Sequence, residues 1–284
     1  MLPHPDFVAM PRNFWGYVRF ISQWRGYTER GTQKVLVPQI DDMVQTLEAN
    51  DFDIRAVIDK RGAPTRLGKA LANYFLYRAE VLNVFVEPRL MDVAEAKKLF
   101  EKVRAKWPGA DVPTNKQSGE KKGLNYFAGI INTLVKAHIG GQPCAFKPRK
   151  LATVVDEHGA ILQTSSRWFD GAFPDVINPI AVWEIKEFYY TTTFGSRVAD
   201  GVYESILDGM ELNELRRSDD IHVFHYLMVD SHNTWWNDGR SYLCRLVDML
   251  HMGFADEVLF GKEVVDRLPA LAKIWLKEAR RRGR

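Results

Sequence analysis

Apolar residues in the first hundred positions recur at helical spacing. Ile40, Met43, Val44 and Leu47 follow i, i+3, i+4, i+7, with Pro38 before them and Asp41 and Asp42 in the first turn, where free N–H groups favour negative charge. Leu67, Leu71, Tyr74 and Phe75 share one side of a second helix that Thr65 opens, and Arg66, Lys69 and Asn73 take the other. Asp92 and Glu95 form a capping-box-like pair ahead of Val93, Ala96, Leu99, Phe100 and Val103. Residues 1–108 therefore read as a helical region. PGADVPTNKQSGEKKG follows Trp107, so residues 109–123 read as a linker or flexible loop.

From residue 124 to 284 the pattern changes. Leu124 to His138 reads as a helix, GGQPCAFKPRK as a loop, and ATVVDEHGAILQTSS as two strands joined around His158 and Gly159. Phe173 to Ile177 is a short strand, Asn178-Pro179 a turn, and Ile180 to Phe188 a long apolar strand. Val198, Val202, Ile206 and Met210 step by four along a helix from Ser196 to about Arg217, and Ile221 to Asp230 is a buried strand. Two further helices close the chain, from about Ser241 and from Val264. Strands joined by a helical crossover imply a parallel pair covered on both faces, so the chain reads as α/β.

Such a strand should be apolar throughout, yet PDVINPIAVWEIKEFYY carries Glu184 and Lys186 at its centre. Alternation puts Ile180, Val182, Glu184, Lys186 and Phe188 on one face and Ala181, Trp183, Ile185 and Glu187 on the other. An ion taken out of water costs several kcal/mol unless a partner, a metal or water compensates. The Asn178-Pro179 turn is expected to fold Asp175 back towards Glu184, where two carboxylates and the carbonyl of Ile185 suit a hard cation such as Mg2+. Lys186 beside it would orient and help deprotonate a bound water for attack on phosphorus, and offset phosphate charge in the transition state. An ordinary ion pair at a strand end is the alternative.

Pro174-Asp175 followed by Glu184-Ile185-Lys186 resembles the PD-(D/E)xK nuclease superfamily. The resemblance implies a restriction-endonuclease-like core, a central mixed sheet flanked by helices in the order αβββαβ. It also implies metal binding by Asp175 and Glu184 and assistance to the nucleophile by Lys186. The expected activity is Mg2+-dependent hydrolysis of double-stranded DNA by a type II restriction endonuclease. A repair, recombination or junction-resolving nuclease, or a non-catalytic DNA-binding protein, are the other readings. Cutting both strands of a symmetric site is most simply done by a homodimer.

Composition narrows the partners. With 39 Lys+Arg against 36 Asp+Glu the net charge is only +3, which excludes a global basic coat and leaves local patches to meet DNA. Ser196 and Arg197 open a helix whose free N–H groups would favour phosphate, and Arg66 and Lys69 lie on a helix that would fit a major groove; a simple cap and a solvated face are the alternatives. His222 and His225 are three apart on a strand and cannot chelate one zinc. Trp235-Trp236 is read as closing a hydrophobic edge, and Arg280, Arg281, Arg282 and Arg284 as a solvated helix end. Two cysteines, Cys144 and Cys244, give no disulfide framework, and no stretch reaches the 18 apolar residues of a membrane span. A cytoplasmic location with no membrane partner is expected.

Overall fold

A computed structural model describes residues 1–110, 123–190 and 196–283. Most of the expected linker, residues 111–122, and the loop 191–195 lie outside the described residues. In chain order the helices are α1 (Pro5–Val8), α2 (Arg12–Arg25), α3 (Ile40–Glu48), α4 (Arg66–Glu80), α5 (Val93–Lys106), α6 (Tyr126–His138), α7 (Ser196–Asp219), α8 (Arg240–His251) and α9 (Val264–Arg281). The strands are β1 (Ala145–Phe146), β2 (Thr153–Val155), β3 (Ile161–Thr164), β4 (Gly171–Phe173), β5 (Ala181–Glu187), β6 (Phe224–Asp230) and β7 (Glu257–Phe260). They form two compact units: Pro3–Pro88 with Trp235–Gly253, and Met1–Leu2 with Arg89–Thr234 and Phe254–Arg284.

The first unit is helical, and its local signals act as the sequence predicts. Thr65 Oγ1 accepts from Gly68 N–H at 3.1 Å, which satisfies one of the donors that the first turn of α4 would otherwise leave unpaired, and Asp42 accepts from Gln39 N–H at 2.9 Å at the start of α3. Phe14, Trp15, Val18, Met43, Leu71, Tyr74 and Phe75 fill its core. Within it α4 carries a buried cation, Arg78, held by Asp248 of α8 at 3.1 and 3.2 Å, and Tyr74 donates to the same carboxylate at 2.6 Å. Removing only the anion from such a pair leaves an uncompensated buried charge.

The second unit is built on a mixed sheet of five strands in the order β1-β4-β5-β6-β7. The β1–β4 and β4–β5 pairs are antiparallel, while β5–β6 and β6–β7 are parallel. Helix α7 makes the β5-to-β6 crossover, the parallel pair the sequence implies. Ala181, Trp183 and Ile185 pack with α6 and α9, where Trp183 stacks on Trp275 at 5.5 Å. Val182 faces the opposite cluster with Phe169, Ala172 and Leu215 of α7. The predicted alternation along β5 is therefore the one observed. Among the described residues no helix is long and apolar enough to cross a membrane.

Four expectations change. The hairpin β2–β3 forms a separate two-stranded sheet, because Thr153 and Asn178 tie it to the loop before β5 rather than to a strand edge. The short strand is Gly171–Phe173, not Phe173–Ile177, since Gly171 pairs with Trp183 and Phe173 with Ala181. Residues 145–146, expected in a loop, supply the edge strand, and β7 appears where no strand was expected.

Candidate active site

The site is set by where β4 begins. β5 is seven residues long and β4 three, so Glu184 to Glu187 extend past the β4 ladder. A backbone donor left there needs a substitute acceptor. Asp170, just before β4, provides it, with its Oδ2 accepting from Ile185 N–H at 2.9 Å. Its own N–H donates to Trp183 O at 3.0 Å, which fixes Asp170 opposite Glu184 in the antiparallel register. Burial, and then the negative charge of Glu184, push the Asp170 carboxyl up to about 6.

Glu184 and Lys186 share the α7 face, as alternation requires, and both are buried. Lys186 Nζ donates to Glu184 Oε2 at 3.0 Å and to Glu204 Oε2 on α7 at 2.9 Å. Burial opposes its charge, yet the Glu184 and Glu204 carboxylates outweigh that and raise its pKa above the usual lysine value. Arg167, from the loop before β4, is the second cation. It donates to Asp208 Oδ2 at 2.8 Å and Glu184 Oε2 at 3.2 Å, and pairs with Glu204 at 3.1 Å. Asp208 is fully buried, and burial drives its carboxyl up to about 7 against the pull of Arg167. His225 on β6 is buried too; its Nδ1 lies 2.7 Å from Phe254 O and burial lowers its pKa.

Glu184, Ile185 and Lys186 thus stand where the sequence places them, and Asp175 does not reach them. With Phe173 opposite Ala181, Asp175 lies beyond the strand end, and Glu184 is three residue steps along β5 from Ala181, roughly 10 Å. Its carboxylate instead accepts from Val176 N–H at 2.6 Å. Ser196 begins α7 but its side chain is outside the described residues, while Arg197 is exposed on the first turn. Arg66 and Lys69 are exposed on the first turn of α4 in the helical unit. Trp235 and Trp236 are buried, and Glu278 holds both Arg281 and Arg282 at 2.7 Å.

Arg167, Asp170, Glu204 and Asp208 were not singled out by sequence reasoning. A signal existed for the last two. Gly201, Glu204, Ser205 and Asp208 follow the i, i+3, i+4, i+7 stripe, and Gly201, Ser205 and Asp208 are buried. The step-of-four reading through Val198, Val202, Ile206 and Met210 drifts around the helix, which leaves Met210 exposed.

Residues 91–275 match a family described as a domain of unknown function, DUF7687, and residues 1–85 match a second, also a domain of unknown function, DUF7690. The chain belongs to the DUF7687 family. No curated protein and no solved structure matches it. The DUF7687 match contains every member of the cluster just described, from Arg167 to His225.

Whether these residues suit Mg2+ turns on the donor set. Asp170 and Glu184 supply two carboxylates, the first pushed up by burial and then by the charge of the second, and Glu184 Oε1 is buried without a hydrogen bond. Among the described residues no group of three or more His, Cys, Asp or Glu side chains is disposed to hold a metal. Mg2+ asks for no such cage, since it keeps waters and takes one or two carboxylates with substrate phosphate. The pair fits it.

Proposed function

We propose that the chain is a Mg2+-dependent endodeoxyribonuclease on a PD-(D/E)xK core, acting on double-stranded DNA in the manner of a type II restriction endonuclease, with Asp170 in the role expected of Asp175. The observation that carries this reading is the meeting of Asp170, Glu184 and Lys186 where β4 begins against β5. The order α6, β1, β4, β5, α7, β6, with two antiparallel pairs followed by a parallel one, supports the restriction-endonuclease-like core.

Asp170, Glu184 and the carbonyl of Ile185 would hold the cation, which when bound would supply Lewis-acid activation of phosphate and water. Lys186 keeps its proton beside two carboxylates, so it acts by orienting water through Nζ–H and by offsetting phosphate charge rather than as a free base. Arg197 and the α7 N-terminus would steady the neighbouring phosphate, and Arg66 and Lys69 would meet the duplex through the helical unit. A homodimer would set two such sites on opposite strands.

Incubation of plasmid or phage DNA with Mg2+ tests the reading. Discrete fragments from wild type, and none from Glu184→Gln, support it. Cleavage confined to branched DNA would replace the restriction reading by a junction-resolving one, and no cleavage of any DNA with Mg2+ or Mn2+ would remove the activity. Light scattering during chromatography, with and without a cleaved duplex, checks the dimer.

A further inference from the structure

The cluster around Glu184 holds four carboxylates, Asp170, Glu184, Glu204 and Asp208, against two cations, Arg167 and Lys186. The hydrogen bonds within the cluster are uneven in a way that bears on where the cation would enter. Lys186 holds Glu184 Oε2 and Glu204 Oε2, both aligned. Arg167 Nη1 lies 3.1 Å from Glu184 Oε1 but directs its aligned bond to Asp208 Oδ2, at 2.8 Å. Glu184 Oε1 is consequently buried, beside a positive charge, and without a hydrogen bond. An oxygen in that state is neutralised without having its lone pairs used.

Arg167 is also the partly exposed member of the pair: its side chain is 24% accessible against 3% for Glu184. It approaches the carboxylate from the solvent side. Its anchor, Asp208, is fully buried on α7, and Glu204 lies one turn away on the same helix within reach of Nη2 at 3.1 Å.

We propose that Arg167 is a positioning residue that holds the place of the divalent cation, neutralising Glu184 in the metal-free protein and, tethered to Asp208, yielding Glu184 Oε1 when the cation binds. Glu204 and Asp208 are then its partners in the loaded site, which explains why α7 turns a polar stripe towards Glu184 and Lys186. The inference rests on the metal-binding part of the proposed function and adds a residue that part does not contain.

Mn2+ titration of the full chain by calorimetry, without DNA, tests it. Arg167→Met removes the competing charge and keeps the side-chain bulk, and is expected to bind Mn2+ about tenfold more tightly than wild type. Arg167→Lys keeps the charge and should stay within about twofold. Asp208→Asn cuts the tether, lets Arg167 settle on Glu184, and should weaken Mn2+ binding severalfold; it decides the matter alone if Arg167→Met does not fold. A merely structural role for Arg167 would weaken binding or leave it unchanged, so either result in folded Arg167→Met overturns the proposal, as does unchanged affinity in Asp208→Asn. Wild type that binds Mn2+ but cuts no nucleic acid removes the nuclease reading and leaves Arg167 in place. Wild type that binds no Mn2+ removes both.

Discussion

A carboxylate in the middle of a buried strand costs several kcal/mol unless its charge is met, and Glu184 is met twice, by Lys186 and by Arg167. Which acid completes the metal site is a question about single residues, and it separates two candidates that stand five positions apart in sequence. If Asp170 is the ligand, Asp170→Asn, Glu184→Gln and Lys186→Ala each lower DNA cleavage by about 10²-fold or more, the range for removing one electrostatic contact at a reacting phosphate. Asp175→Ala should stay within a few fold of wild type, because among the described residues its carboxylate accepts from the Val176 N–H beyond the end of the β4 ladder. A gel assay at saturating Mg2+ gives the comparison; loss of cleavage in Asp175→Ala with Asp170→Asn intact would return the role to Asp175. Asp170 escaped notice in the sequence because nothing in Trp168-Phe169-Asp170-Gly171 says that β4 begins there rather than at Phe173.

At the level of elements, the site depends on a close fit between β4 and β5. Gly171 lies opposite Trp183, and a Cβ on it would come within 2.0 Å of the indole ring. That ring cannot retreat, since it stacks on Trp275 at 5.5 Å in the α6–α9 layer. Gly171→Ala is therefore expected to destabilise by about 1–3 kcal/mol, the usual cost of overpacking, and to displace the neighbouring Asp170. Thermal melts would report the first effect, and the Mn2+ affinity of the folded protein the second. The opposite end of β5 serves another element. Glu187 accepts from Phe127 and Ala128 N–H at 3.3 and 3.1 Å, supplying the acceptors that the start of α6 lacks in its own sequence. In the helical unit the counterpart is the Arg78–Asp248 pair between α4 and α8. Asp248→Ala should cost about 3–5 kcal/mol, measured by denaturant unfolding, because it strands a buried guanidinium.

For the whole molecule, buried carboxylates in the sheet unit set how stability depends on pH. Burial pushes Asp170 up to about 6, Glu187 and Asp208 to about 7, and Asp230 to about 8. Each binds its proton more tightly folded than unfolded, so the stabilisation is complete below about pH 4 and is lost as pH rises through the folded values. The melting temperature of the metal-free protein should fall between pH 5 and pH 8, apart from contributions of other groups. Asp230→Asn keeps an acceptor for the Met91 and Ser231 N–H groups and removes the charge, so it should raise the melting temperature at pH 8 and flatten the upper part of the profile. An unchanged slope in that variant would assign the dependence elsewhere.

The periodicity of side chains determined much of this protein without help. Caps at Thr65 and Asp92, the apolar faces of α3 to α5, and the alternation that puts Glu184 beside Lys186 are all local consequences of 3.6- and 2-residue repeats. A helix between two buried strands likewise forced the parallel β5–β6 pair. What periodicity does not carry is where β4 lies along β5, because Gly171, Ala172 and Phe173 are buried alike and show no polar alternation that would choose which aspartate stands opposite Glu184. Tertiary structure decided that, through the Gly171–Trp183 contact. It also decided which carboxylates α7 turns inward and that Arg167, from a loop with no repeat to read, would reach them.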